Sequence, residues 1–259
     1  MAAAAPYYRE IGNERALFRH AWEQKLPLLL KGPTGSGKSR FVEAMAHEIG
    51  RPLVTVSCHE DTSATDLLGR FLVKGGDTVW QDGPLTRAVR EGAVLYLDEI
   101  AEAREDVVVV IHPLTDHRRE VYVDKIGERL KAPDEFMLVV SFNPGYQRKI
   151  KELKPSTRQR FLAMSFGYPA ADVEAEILQN ETGVEAATAK KLVQVAGKIR
   201  QLEELGLTET VSTRLLVYAA KAMRAGVPAR QACDIAIAQP LSDDPEVVQS
   251  IRDLAALVF

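Results

Sequence analysis

Gly32-Pro33-Thr34-Gly35-Ser36-Gly37-Lys38-Ser39 fits the pattern G-x-x-x-x-G-K-[ST] at every fixed position and directly follows the apolar run Leu26–Leu30. Glycine lets a backbone wrap closely round a β-phosphate with several N–H groups turned inward, a path that side chains would obstruct. Lys38 then reaches the β- and γ-phosphates. Ser39 opens a helix whose N-terminus offers unpaired amides and a positive dipole end to the same charge, while its hydroxyl is placed to ligate Mg²⁺. The whole octapeptide, Gly32 to Ser39, is therefore the expected binding site of a nucleoside triphosphate.

The chain around this loop is long enough for one medium domain and a small one: 259 residues, 46% hydrophobic and 27% charged. Its 36 acidic residues against 33 basic ones give no global positive field of the kind that draws a protein onto nucleic acid or anionic lipid. Cys58 and Cys233 stand alone, without C-x-x-C spacing, and read as buried apolar residues and not as a disulfide or zinc framework. Met1–Ala5 lacks a basic leader and a long hydrophobic stretch, and no segment approaches the length of a membrane-spanning helix, so the expectation is a cytoplasmic protein without membrane contact.

Short apolar runs recur at Leu26–Leu30, Leu53–Ser57, Ala93–Leu97, Met137–Phe142 and Phe161–Phe166, which predicts a five-stranded parallel sheet in an α/β fold. Between the first two, Phe41, Val42, Met45, Ala46 and Ile49 mark one helical face ending at Gly50. Beyond Pro169 only helical spacing is found: Val173, Ile177 and Leu178, then Leu192, Val195, Ile199 and Leu202, then Leu215, Leu216 and Ala219. The expected domains are therefore 1–168, α/β and nucleotide-binding, and 169–259, small and all-helical, with Gly167-Tyr168-Pro169 as the hinge.

Two strand ends carry further chemistry. Ala93-Val94-Leu95-Tyr96-Leu97 runs into Asp98-Glu99. Parallel strands share one C-terminal edge, so Asp98 can meet the phosphate loop there and hold hydrated Mg²⁺, with Glu99 polarising the attacking water. Ser141-Phe142-Asn143-Pro144 ends the strand Met137–Phe142, where the Asn143 amide can bond both a γ-phosphate and the lytic water without adding charge.

Phosphate loop, strand-borne Asp-Glu, Asn143 and helical tail together resemble an AAA+ ATPase, which implies a P-loop NTPase core with a helical lid, and ATP with Mg²⁺ as the bound species. In that resemblance Ser156-Thr157-Arg158-Gln159-Arg160-Phe161 is similar to the arginine-finger segment, where a guanidinium of one subunit reaches the γ-phosphate held by its neighbour. Arg160 matches best and Arg158 is the second candidate. Val211-Ser212-Thr213-Arg214 is similar to the sensor 2 motif, with Ser212 capping the helix and Arg214 facing nucleotide.

Asp66-Leu67-Leu68-Gly69-Arg70 through Trp80-Gln81-Asp82-Gly83-Pro84-Leu85 resembles the helix-2 insertion of MoxR-type proteins, and Glu120–Lys131 their second hairpin. With His112-Pro113-Leu114-Thr115-Asp116-His117-Arg118-Arg119 and Phe142-Asn143-Pro144-Gly145-Tyr146-Gln147, the pattern resembles the CbbQ/NirQ/NorQ branch from Tyr8 onward. That branch implies a homohexameric ring that works with a von Willebrand factor A domain partner to activate a metabolic enzyme. The Rubisco activase type, which releases inhibitory sugar phosphates, is the favoured reading. A chaperone for nitric oxide reductase or metalloenzyme maturation is the alternative. A nucleic-acid motor, suggested by the insertion logic shared with minichromosome maintenance helicases and best supported by the basic run Arg148, Lys149, Lys151 and Lys154, is the weakest. His112 and His117 read as structural and not as metal ligands.

Overall fold

The computed structural model describes residues 5–144, 153–201 and 210–259. Gly145–Gln147, Arg148, Lys149, Lys151 and Leu202, named above, lie outside the described residues. The chain divides into two compact units. One holds the segment ending at Lys31, Lys38–Pro144 and the segment ending at Ser165. The other holds Gly32–Gly37 and Phe166–Phe259.

In the first unit five strands form a parallel sheet: β1 (Leu28–Lys31), β2 (Leu53–Ser57), β5 (Val94–Asp98), β8 (Met137–Phe142) and β9 (Leu162–Ser165), in the order β2-β5-β8-β1-β9. All six residues of β8 and the first four of β5 are buried, as continuous apolar runs require when helices cover both faces. The edge strand β9 buries only Met164, which is why its run is the weakest in the sequence. Register sets the functional edge: Leu30 lies opposite Ser141, Lys31 opposite Phe142, and Ser57 opposite Asp98. The C-terminal ends of β1, β5 and β8 thus share one rim.

The first strand begins two residues later than its apolar run. Pro27 offers no N–H, and the Leu26 N–H is already given to the Ala21 carbonyl, closing helix α1 (Glu14–Glu23). Helix α2 (Lys38–Glu48) buries Phe41, Val42 and Met45, and the Phe41 ring meets Phe18 edge-on at 5.6 Å. After α3 (Ala64–Leu68) the helix-2 insertion is an antiparallel hairpin of β3 (Gly69–Lys74) and β4 (Asp77–Asp82). Its two-residue turn is Gly75-Gly76, with φ of +60° and +94°, the sign that a twisted hairpin demands at both central positions. Helices α4 (Pro84–Glu91) and α5 (Glu105–Ile111) flank β5, and the second hairpin pairs β6 (Glu120–Val123) with β7 (Glu128–Lys131). A short α6 (Pro155–Arg158) precedes β9.

Among the described residues the second unit holds helices α7 (Ala171–Thr182), α8 (Ala186–Gln201), α9 (Thr213–Arg224), α10 (Ala229–Cys233), α11 (Gln239–Leu241) and α12 (Pro245–Ala256), with a π-helical turn, Asp234–Ala238, between α10 and α11. They close on a separate core that includes Leu178, Leu192, Ile199, Leu216, Ile237 and Ile251. Inside it lies a charge that the apolar periodicity does not announce: Glu174 is fully buried. Among the described residues no helix is long and apolar enough to cross a membrane. Cys58 and Cys233 are both buried thiols, and burial pushes them up to about 12 and about 11.

Candidate nucleotide site

The rim of the sheet places Ser39 and Asp98 together. Ser39 Oγ lies 3.3 Å from Asp98 Oδ2, and the other carboxylate oxygen, Oδ1, accepts the Tyr96 hydroxyl at 2.7 Å and the Ser141 hydroxyl. Tyr96 and Asp98 are two residues apart on one strand and so share a face of the sheet, while Ser141 comes from the neighbouring strand β8. Asp98 is thereby oriented with Oδ1 saturated and Oδ2 turned toward Ser39. Its backbone carbonyl accepts Cys58 N–H at 2.9 Å, which fixes the strand end itself. The Tyr96 hydroxyl is pushed well above its ordinary range, by burial first and by the Asp98 charge second, so it stays a donor.

Glu99 follows in a left-handed conformation, φ +55°, costly for a residue with a side chain. Two bonds to the next strand hold it there: its backbone N–H donates to Ser141 Oγ at 3.1 Å, and the Asn143 backbone N–H bonds its carboxylate. Ser141 thus serves both residues, donating to the Asp98 carboxylate and accepting from the Glu99 backbone N–H. Burial raises the Glu99 pKa and the adjacent Asp98 adds to it, while Lys38, itself buried, pulls the other way.

In the second unit the phosphate loop is packed against the start of α9. Gly35 has φ +70°, and a Cβ placed on it would fall 2.6 Å from Cβ of Ser212 and 3.4 Å from that of Arg214. Gly35 occupies a variable position of the motif, yet no side chain fits there. Gly32 is equally constrained, since its Cβ would lie 2.4 Å from the Phe166 carbonyl oxygen. Ser36 Oγ donates to the Pro33 carbonyl at 2.8 Å, and the Tyr168 hydroxyl to that of Thr34 at 3.3 Å. Ser212 does occupy the N-cap position of α9, but its hydroxyl makes no capping bond, contrary to the expectation from sequence. It packs on the loop instead. Arg214 stands in the first turn of that helix and is exposed.

Of the two candidate finger arginines, Arg158 ends α6 and is half-buried, whereas Arg160 is exposed. Arg160 Nη1 lies 3.6 Å from Asp116 Oδ2. The grip on Asp116 belongs to Arg118, whose Nε and Nη2 donate to its two oxygens at 2.9 and 2.7 Å and hold that carboxyl well below the usual range. His112 Nε2 is 3.3 Å from Thr157 Oγ1, and burial together with Arg160 lowers its pKa. Arg119 is a backbone clamp, donating to the carbonyls of Lys25, Pro133 and Phe136. Sequence reasoning assigned no role to Tyr96, Ser141 or Asp116. The first could have been found from its i, i+2 spacing to Asp98.

The family model of the AAA domain (dynein-related subfamily) matches residues 27–161, and that of the CbbQ/NirQ/NorQ C-terminal region matches residues 174–258. The chain is similar to protein NorQ of Paracoccus denitrificans, 56% identical across 100% of this chain and 96% of the relative. It is 54% identical to denitrification regulatory protein NirQ of Stutzerimonas stutzeri, over 98% of this chain and 93% of that one. Protein CbbQ of Hydrogenophilus thermoluteolus is 53% identical, over 100% and 97%. Among solved structures, a RuvB variant from Thermotoga maritima superposes with a TM-score of 0.57 at 16% identity, over 95% of this chain and 71% of that one, which is a likeness of fold.

Proposed function

The chain belongs to the CbbQ/NirQ/NorQ family of AAA ATPases, and from that premise we propose that it is the motor of a ring that spends ATP to remodel a metabolic enzyme. The observation that carries the chemical part is the rim at Asp98, where hydroxyls of Tyr96 and Ser141 saturate one carboxylate oxygen and turn the other toward Ser39. A hydroxyl beside a carboxylate is the donor set of a Mg²⁺ that keeps several waters, so Ser39 and Asp98 would hold the ion. Bound there, Mg²⁺ would neutralise charge on the β- and γ-phosphates. Gly32–Gly37 would offer backbone amides to the phosphates, and Lys38 its ammonium. Glu99 would take the proton from the attacking water, a role suited to a carboxylate made more basic by burial, and Asn143 would orient that water. Arg214 would contact nucleotide from the helical unit. Arg160, or Arg158 in its place, would reach the γ-phosphate of a neighbouring subunit in a homohexamer.

For the client we propose Rubisco, activated together with a von Willebrand factor A domain partner by release of sugar-phosphate inhibitors. The hairpin of the helix-2 insertion suits such contact: Phe71 and Val73 are 47% and 78% exposed, both on β3 just ahead of the two-glycine turn. The Phe71 ring also rests edge-on against Trp80 at 5.1 Å, so the hairpin is presented as a formed element. A denitrification enzyme such as nitric oxide reductase is the second reading, favoured by the NirQ relatives, whose names refer to denitrification and which match as well as the CbbQ relative does. Carbon fixation by inhibitor-locked Rubisco, with ATP, this protein and its partner, decides between them. Rubisco is expected to regain activity, and Phe71→Ala with Val73→Ala to block that gain while sparing basal ATP hydrolysis. Failure of the unmutated system on a cognate Rubisco, alongside activation of nitric oxide reductase, would move the client to the second reading.

A further inference from the structure

The buried charge of the helical unit sits in a chain of contacts that ends at the nucleotide-binding segments. Glu174 is fully buried, and Arg200 meets it fork to fork, Nη1 and Nη2 each donating to one carboxylate oxygen at 2.8 Å. A third donor is the Thr213 hydroxyl, 2.6 Å from Glu174 Oε1. Thr213 is the first residue of α9 and the immediate neighbour of Arg214. Arg200 Nε donates to the Val211 carbonyl at 3.0 Å, which pins the other side of the same helix start. The guanidinium plane also lies over the Tyr168 ring at 4.2 Å, and the Tyr168 hydroxyl reaches the Thr34 carbonyl in the phosphate loop.

A buried ion pair is a poor way to add stability, because an apolar pair of the same volume does as well without the desolvation cost. It is an effective way to fix geometry, since bidentate bonds have one good arrangement. Beyond the fork itself, the contacts of this pair are directed at the Val211–Arg214 turn or, through Tyr168, at the loop that turn packs on. We infer that Glu174 and Arg200 are positioning residues for nucleotide binding: they set the start of α9 so that Arg214 faces the phosphates, and they brace the loop beneath it. This rests on the reading of Arg214 and the phosphate loop given above.

Arg200→Lys keeps the positive charge and loses both the fork and the plane. It is expected to weaken binding of a fluorescent ATP analogue about tenfold, a coupling of the size that residues one layer removed from a ligand exert. The thermal midpoint without nucleotide should fall by only a few degrees. Thr213→Val removes a single donor and is expected to weaken the analogue about threefold, which keeps the test open if the first variant does not fold. The decisive reading is a cycle with Arg214→Ala: in that background Arg200→Lys should cost only about threefold more, because the part that runs through Arg214 is gone and the brace on the loop remains. Unchanged affinity in both variants, or the same tenfold loss with and without Arg214, would overturn the inference. Lys38→Ala, measured alongside, separates the two levels. If it binds the analogue normally, the reading of the phosphate loop falls. If it does not bind while Arg200→Lys binds normally, only the inference falls.

Discussion

Asp98 and Arg160 belong to the same unit and are held in opposite ways. Asp98 accepts three hydroxyls from three elements, β5, β8 and α2, and its backbone is tied to Cys58. Arg160 is exposed and among the described residues has one ion pair, at 3.6 Å, with a carboxylate that Arg118 already grips in bidentate fashion. Such a surface pair is worth little and leaves the side chain free to exchange partners. A group that acts within its own subunit must be preorganised by its neighbours. A group destined for a neighbouring subunit needs reach and a weak resting partner. The contrast therefore divides the proposed machinery into a fixed half and a supplied half.

The largest effect expected from this division lies on the supplied side. Arg160→Ala should cut the steady-state ATPase rate by about 10³–10⁵ while leaving nucleotide affinity of the isolated subunit close to normal, because a finger acts on transition-state charge. Equal loss of affinity and rate would place Arg160 in its own subunit's pocket. On the fixed side, Glu99→Gln should retain ATP and slow hydrolysis by about 10²–10⁴ in single-turnover assays. The raised pKa of Glu99 adds a sign that can be checked. As a base it must be ionised, so the acid limb of the rate profile should lie above that of an ordinary carboxylate and vanish in Glu99→Gln. In stability the sign reverses: the folded state holds this proton more tightly than the unfolded one, so the favourable contribution is full at low pH and lost as pH rises through the folded value. At neutral pH, then, Glu99→Gln should melt no lower than the unmutated protein. The smallest effect is expected from Ser141→Ala, which strips one donor from Asp98 and the acceptor from Glu99 N–H. A loss of about tenfold in kcat with KM nearly unchanged would fit a residue that orients two acting groups. A rise in KM alone would make Ser141 a part of substrate binding.

How much of this was legible in the sequence depends on how far apart the partners are. The central strands announced themselves because β5 and β8 are buried on both faces and so read as unbroken apolar runs. The hairpin turn at Gly75-Gly76 and the two carboxylates at the end of β5 are local signals, complete within a few residues. The start of β1 was misjudged because Leu26 is apolar but serves to close α1. The need for glycine at position 35 was invisible, since the atoms that forbid a side chain come from Ser212 at the far end of the chain. Likewise Glu174 and Arg200 look like ordinary solvated charges on helices until α7 and α8 are seen packed with their charges inward. The resting partner of Arg160 was hidden for the same reason, as Asp116 reaches it only through the fold.

Whether the two halves come from different subunits is tested most directly by mixing. Subunits carrying Arg160→Ala keep an intact pocket, and subunits carrying Lys38→Ala keep an intact finger. Each population alone should be nearly inactive. Mixed under conditions where co-assembly is demonstrated, they should regain a clear fraction of the unmutated ATPase rate, because some pockets then face a working arginine. A mixed assembly no more active than the sum of its two inactive parents would contradict a finger acting across the interface.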